Sequence, residues 1–170
     1  MKITIDDSKN DISKTIKNPL RLEIYPGSQV LRQVACPVEA FGNDIQLLAS
    51  WMLSFMRKNN GVGLAAPQIG LSRRIIVAEV SNYQICIVNP QIVYAAEWDW
   101  LEEGCLSLPG KSVNVKRRRA IEVKGMDIKG NEMSVSAAGI FARVLQHEID
   151  HLNGVLICDY ETSALRSNSL

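Results

Sequence analysis

The sequence predicts an α+β fold, with antiparallel sheets packed around a central helix that carries His147-Glu148-Ile149-Asp150-His151. Three observations lead there. Two stretches repeat apolar residues at helical spacing, several shorter runs are rich in β-branched residues between turn signals, and both histidines of the chain fall on the second helical stretch. At 170 residues with 46% hydrophobic content, the chain can bury a sizeable core without being divided.

The elements follow in order. Residues 1–19 are polar, with Asp6, Asp7 and Asp11 among lysines, and read as a partly flexible extension before a single domain over 20–170. Those acidic residues argue against an organelle transit peptide. Residues 43–60 read as a helix, with Ile45, Leu48, Met52, Phe55 and Met56 on one face and Asn43 or Asp44 as cap. That Met-rich stripe reads as core. Gly61 and Gly63 follow, where glycine suits both a helix end and a close backbone approach to an extended ligand. Residues 74–80, 84–88 and 92–95 read as strands, and 120–124 and 132–136 as two more around a turn near Gly130. A second helix over 136–153 is closed by Gly154, and Ile140, Val144, His147 and His151 share one of its faces. The histidines therefore continue a buried stripe.

Net charge is only +1, so no global attraction to nucleic acid or membranes is implied. No apolar run reaches transmembrane length, and no signal-peptide pattern is present. Lys116-Arg117-Arg118-Arg119 has the composition of a nucleic-acid docking patch, but reads better as a solvated strand edge that discourages aggregation. Four cysteines without framework spacing point to a reducing cytoplasm.

His147 and His151 form an H-E-x-x-H pair. Residues four apart on a helix stack on one face, so two imidazoles converge on one divalent ion and Glu148 sits beside them as a base. The third ligand separates the candidate chemistries. A metzincin-type continuation runs through Gly154 but meets Ile157 where a third His is needed, and Glu161 follows His151 too closely for a thermolysin-type site. Cys105 is the best remaining ligand. It lies between Gly104 and Pro109-Gly110, in what reads as an exposed turn, whereas Cys36, Cys86 and Cys158 have apolar neighbours and read as buried, inert thiols. The result is a Cys-His-His site with one open position.

Three segments together resemble the peptide deformylases: Gly61-Val62-Gly63-Leu64-Ala65-Ala66-Pro67-Gln68, Glu103-Gly104-Cys105-Leu106-Ser107 and Gln146-His147-Glu148-Ile149-Asp150-His151. The similarity runs over about 22–160. It implies that Cys105, His147 and His151 hold the metal, that Glu148 is general base and then acid, and that the Gln68 amide and the Leu106 backbone N–H face the developing oxyanion. It also implies a methionine pocket walled by Val62, Leu101, Ile140 and Val144, with Gly61 and Gly63 lining the cleft. The implied reaction is hydrolysis of the N-formyl group from the initiator methionine of new polypeptides, releasing formate. The implied ion is Fe2+, with Zn2+, Ni2+ or Co2+ compatible with the same ligands.

The resemblance further implies N-formylmethionyl nascent peptides as partners, with transient ribosome association and neither a specific nucleic-acid sequence nor a membrane. An Arg117–Glu103 pair is expected to steady the ligand loop, and Arg143 to lie at the pocket rim, where it tunes peptide preference. Only 161–170 follow Tyr160, which predicts the compact form without a long C-terminal helix. The competing class is an H-E-x-x-H metallopeptidase or another amide hydrolase.

Overall fold

The computed structural model describes residues 21–161, so the polar stretch 1–19 and the last nine residues lie outside the described part. Its main elements are α1 (Asn43–Lys58), β1 (Gly63–Ala65), β2 (Ile75–Val80), β3 (Tyr83–Cys105), β4 (Leu108–Met126), β5 (Glu132–Ala138) and α2 (Gly139–Leu152). The strands form one antiparallel sheet in the order β1-β2-β3-β4-β5. This is an α+β architecture, and its neighbour-to-neighbour connectivity needs only short links.

The sheet is covered on both faces. Along β2, Ile76 and Ala78 point into a cluster with Leu145, Ile149 and Leu152 of α2. Ile75 and Val77, one residue out of phase, point into a second cluster with Ile45, Leu48, Met52 and Met56 of α1. Successive strand residues alternate faces, so the first four residues of β2, Ile75 to Ala78, are all apolar because both faces are buried there. Each fully buried Leu or Ile here contributes roughly 1.5–3 kcal/mol. A smaller cluster of Leu31, Leu108, Val113, Val115, Leu156 and Ile157 closes the hairpin end.

Several boundaries differ from expectation. The cap of α1 is Gly42 rather than Asn43 or Asp44; Asp44 in the first turn and Arg57 and Lys58 in the last complement the helix dipole instead. The helix ends at Lys58, and the left-handed residue after it is Asn60, with φ 57°, not Gly61. Gly61 contributes its N–H, which bonds the Met56 carbonyl at 2.9 Å. The runs 84–88 and 92–95 belong to one strand, β3, with register shifts between Val88 and Gln91 and between Ile92 and Tyr94. Pro90 lacks a ladder donor, which interrupts pairing without ending the strand. Asn89 pins the bend, its side chain bonding both the N–H and the carbonyl of Val38 at 2.8 Å.

The second helix starts three residues later than expected, because 136–138 still pair with β4. The Asp127–Asn131 turn around Gly130 forms as read, with Asp127 Oδ1 accepting from the N–H groups of Lys129 and Asn131. Lys116, Arg118 and Arg119 occupy β4 before β5 joins it at Ala120, in keeping with a solvated edge, and Arg118 lies 3.7 Å from the centre of the Trp98 ring. Arg117 departs from that pattern and points inward, only 3% exposed.

Gly154 follows α2 with φ 73°, and a Cβ there would sit 2.8 Å from the Arg32 carbonyl oxygen. Gly154→Ala is therefore expected to cost roughly 1–3 kcal/mol, from left-handed strain plus the clash. Urea unfolding of the variant would measure it, and an unchanged midpoint would mean that the 30–33 segment yields freely.

Candidate active site

The centre forms where the far end of β3 meets the middle of α2. His147 and His151 lie one turn apart on α2, with Nε2 atoms 3.2 Å apart and ring planes at 69°. Cys105 closes the group from the last position of β3, its Sγ 3.3 Å from His151 Nε2. All three ligand atoms lie within 4.8 Å of one another. Donors bound tetrahedrally at Zn–S and Zn–N lengths would sit roughly 3.3–3.6 Å apart, close to the separations found. Cys105 is thus not in a free turn: it ends a strand, pairs with Leu108 across a two-residue turn and is half-buried.

The surroundings orient these groups. Glu103, two residues before Cys105 and so on the same strand face, accepts from His147 Nδ1 at 2.9 Å. That bond makes Nδ1 a donor and aims Nε2 at the other two ligand atoms, where an ion would displace any proton that Nε2 carries. Arg117 grips the same carboxylate with Nε at 2.6 Å and Nη2 at 3.0 Å, while its Nη1 reaches Asp150 at 2.8 Å. Tyr160 also donates to Asp150, at 2.7 Å. The expected Arg117–Glu103 pair therefore exists, buried on both sides. Burial alone would raise the Glu103 pKa, but the donors from His147 and Arg117 outweigh it and hold the carboxyl at about 2.

Glu148 lies on the cleft side of α2, and burial pushes its carboxyl up to about 7 against the pull of His147 and Arg117. Its Oε2 and His151 Nδ1 are buried without a hydrogen-bond partner among the described residues. Burial also lowers His151 well below an ordinary imidazole, whereas in His147 the hydrogen bonds to Cys105 and Glu103 outweigh the effect of burial and raise it to about 10. A Cβ on Gly63 would land inside the Glu148 carboxylate, so the nearest reason for glycine there is room for Glu148.

Gln68 sits in the 3-10 turn Ala66–Ile69 and is 2% exposed. Its Oε1 accepts from the Ala65 N–H at 2.8 Å, which turns Nε2 toward Cys105 Sγ, 3.8 Å away, and Ser107 Oγ, 3.4 Å away. Leu106 follows Cys105 in the hairpin turn. A cleft of about 630 Å³ opens over these groups. Gly61, Val62, Gly63, Leu101, Ile140 and Val144 all line it, together with Gln68, Cys105, Leu106, His147 and Glu148.

A sequence model of the family described as polypeptide deformylase matches residues 21–167. The chain belongs to that family. The peptide deformylase of Thermodesulfovibrio yellowstonii is 41% identical over 145 residues, covering 82% of this chain and 87% of its own. That of Rhizobium meliloti is 46% identical over 137 residues, covering 77% and 79%. Among solved structures, the Thermotoga maritima peptide deformylase superposes with a TM-score of 0.81 at 40% identity, covering 84% of this chain and 97% of that one. The Synechococcus elongatus peptide deformylase in complex with actinonin gives 0.80 at 38% identity, covering 84% and 78%.

The other positions weighed for a third ligand lie in different surroundings. Ile157 is 2% exposed in an apolar cluster, and Glu161 pairs with Lys111 at 2.7 Å. Arg143 is not at the rim: it is 6% exposed and bonds Glu103 Oε1 at 2.8 Å. The other cysteines are half-buried rather than fully enclosed, although burial pushes the Cys86 thiol up to about 12. Sequence reasoning passed over Asp150 and Tyr160. For Asp150 the signal was available, since residues 143, 147, 150 and 151 recur at helical spacing and so meet one partner surface.

Glu103→Gln is expected to destabilise the fold by roughly 3–5 kcal/mol at neutral pH, because it leaves two buried guanidinium groups underpaired. Glu103 has a folded-state pKa of about 2, below its unfolded value of about 4.3, so its stabilising share is complete above that upper value and fades as pH falls toward 2. Urea unfolding at pH 7, 4 and 3 should find the gap between parent and variant narrowing with acid; a gap independent of pH would count against this ionisation.

Proposed function

We propose that this chain hydrolyses the N-formyl group from the initiator methionine of newly made polypeptides, releasing formate. Cys105, His147 and His151 would hold one divalent ion, Fe2+ in the working enzyme. The reading is carried by the convergence of one sulfur and two imidazole nitrogens beside a buried carboxylate that lacks a partner among the described residues. Membership of the deformylase family supports the substrate. A sulfur and nitrogen donor set suits Fe2+, Zn2+, Co2+ and Ni2+, so the choice of iron follows the resemblance and not the ligands.

When bound, the ion supplies Lewis-acid chemistry, making water a nucleophile near neutral pH and polarising the formyl carbonyl. The protein's own groups do the rest. Glu148 takes the proton from the attacking water and returns it to the departing amine, a role that suits a carboxyl whose burial raises its pKa. Gln68 Nε2, held in place by the Ala65 N–H, donates to the oxygen that gains charge, and the Leu106 N–H donates from the other side. Each such donor is worth on the order of 3 kcal/mol of barrier. Val62, Leu101, Ile140 and Val144 offer apolar walls to the methionine side chain. The peptide backbone would run beside Gly61 and Gly63, adding to the outer edge of β1.

Such a substrate arises at the start of translation, and the reading adopted here is a cytoplasmic enzyme with transient encounters at the ribosome. No described helix is long and apolar enough to cross a membrane.

Formate release from a formyl-Met tripeptide, by protein loaded anaerobically with Fe2+ or Ni2+, tests the reading. Glu148→Gln should lose about 10²–10⁴-fold in kcat, and the unformylated peptide should remain intact. Burial raises the Glu148 pKa to about 7 and a neighbouring cation pulls it down, so kcat/KM should rise with pH along a limb at or below pH 7. No formate from metal-loaded protein would overturn the assignment. Chelation should abolish turnover and lower the melting temperature, and equimolar Fe2+ or Ni2+ should restore both; turnover that survives with no metal bound would remove the ion from the reaction.

A further inference from the structure

The two halves of the ligand set belong to different pieces of the fold. Cys105 comes from the β3–β4 ribbon, His147 and His151 from α2, so the spacing of the donors is the spacing of ribbon and helix. Around Cys105 the ribbon has little support from the sheet. The pairing of β2 with β3 ends at Val88, and that of β5 with β4 starts at Ala120, so over 99–117 these strands pair only with each other. A ribbon of two strands without a third beside it twists more than a wide sheet, so its placement depends on contacts with other elements. Something must fix its distance from α2.

Two residues of α2 do so: Gln146 accepts from the Arg118 N–H at 3.0 Å and donates to the Arg118 carbonyl at 2.8 Å, near where β5 joins, and nearer Cys105 the ribbon is gripped by Arg143. Arg143 stands one turn before His147 on α2, and its guanidinium spreads over both strands of the ribbon. Nη1 donates to Glu103 Oε1 at 2.8 Å and to the Val115 carbonyl at 2.9 Å, and Nη2 donates to the Asp99 carbonyl at 3.1 Å. Asp99 and Glu103 lie on β3, Val115 on β4, and Val115 is the register partner of Leu101 midway between them. One planar fork thus grips two backbone carbonyls and the carboxylate that holds His147. Arg117 reaches that carboxylate from β4 and ties it to Asp150, but only Arg143 of the pair takes hold of the ribbon's main chain.

We propose that Arg143 is a positioning residue that clamps the ribbon to α2 and so sets the approach of Cys105 to the two histidines. This rests on the reading of Cys105, His147 and His151 as metal ligands. The competing role is that of a wall residue, since Arg143 also lines the cleft. The two differ in what they move: a wall residue changes KM for the peptide, whereas a clamp changes the metal site before any peptide arrives.

The probe is Co2+, whose thiolate charge-transfer absorption reports the Cys105 bond and whose affinity is read by competition with a chelator. Arg143→Met keeps the stem and removes the fork; Arg143→Lys keeps the charge on a single-point donor that cannot span three acceptors. Apo-protein thermal melts establish which variants fold. For each folded variant, Co2+ affinity should fall by about tenfold or more, with a weaker thiolate band. In turnover, kcat should drop while KM for the formyl peptide stays within about twofold. Unchanged Co2+ affinity and band in either folded variant, or a change confined to KM, overturns the clamp. Parent protein that takes up no Co2+ through Cys105 would instead sink the metal-site reading itself, an outcome distinct from a parent and variants that bind alike.

Discussion

The Glu103 carboxylate is the point on which the rest of the site hangs. It is 7% exposed, and it receives Arg117, Arg143 and His147 on its two oxygens. A buried carboxylate is costly unless its lone pairs are met by charged donors, and here they are met from β4 and α2. The contact that neutralises the charge therefore also ties three elements together. The electrostatics follow from it: Glu103 stays ionised, His147 keeps its proton on Nδ1, and His147 Nε2 faces Cys105 and His151.

Backbone periodicity makes that convergence possible. Glu103 and Cys105 are two apart on β3, so both point at α2; Arg143, His147, Asp150 and His151 recur at helical spacing, so all four point back. Gly63 lets the Glu148 carboxylate lie against β1, since any side chain at that position would occupy its place. Gln68 is aimed by the Ala65 N–H rather than by the groups it would serve. His147 and Gln68 are thus each held by a group that does no chemistry, Glu103 and the Ala65 N–H, which is how a site is set before substrate binds.

Much of this was legible from residue types alone. The H-E-x-x-H pair names its own geometry, because a helix leaves no choice about which face residues four apart occupy. The apolar stripes of α1 and α2 and the apolar run Ile75 to Ala78 of β2 are equally clear. Residues 96–105 carry no local strand signal, since Glu97, Asp99, Glu102 and Glu103 lower β-propensity, and only their pairing with β4 makes them strand. The composition of the charge run does not separate Arg117 from its neighbours; the expected pairing with Glu103 does, and pleat parity is what turns it inward.

The chain by itself determined the α+β class and the residues that meet across a single helix or strand, since periods of 3.6 and 2.0 are local properties. Tertiary structure alone decided how far Cys105 stands from the histidines and which way Arg143 points. It also decided why Glu103 is charged in the interior. Those quantities depend on the packing distance between a ribbon and a helix remote in sequence, and no local pattern encodes that distance.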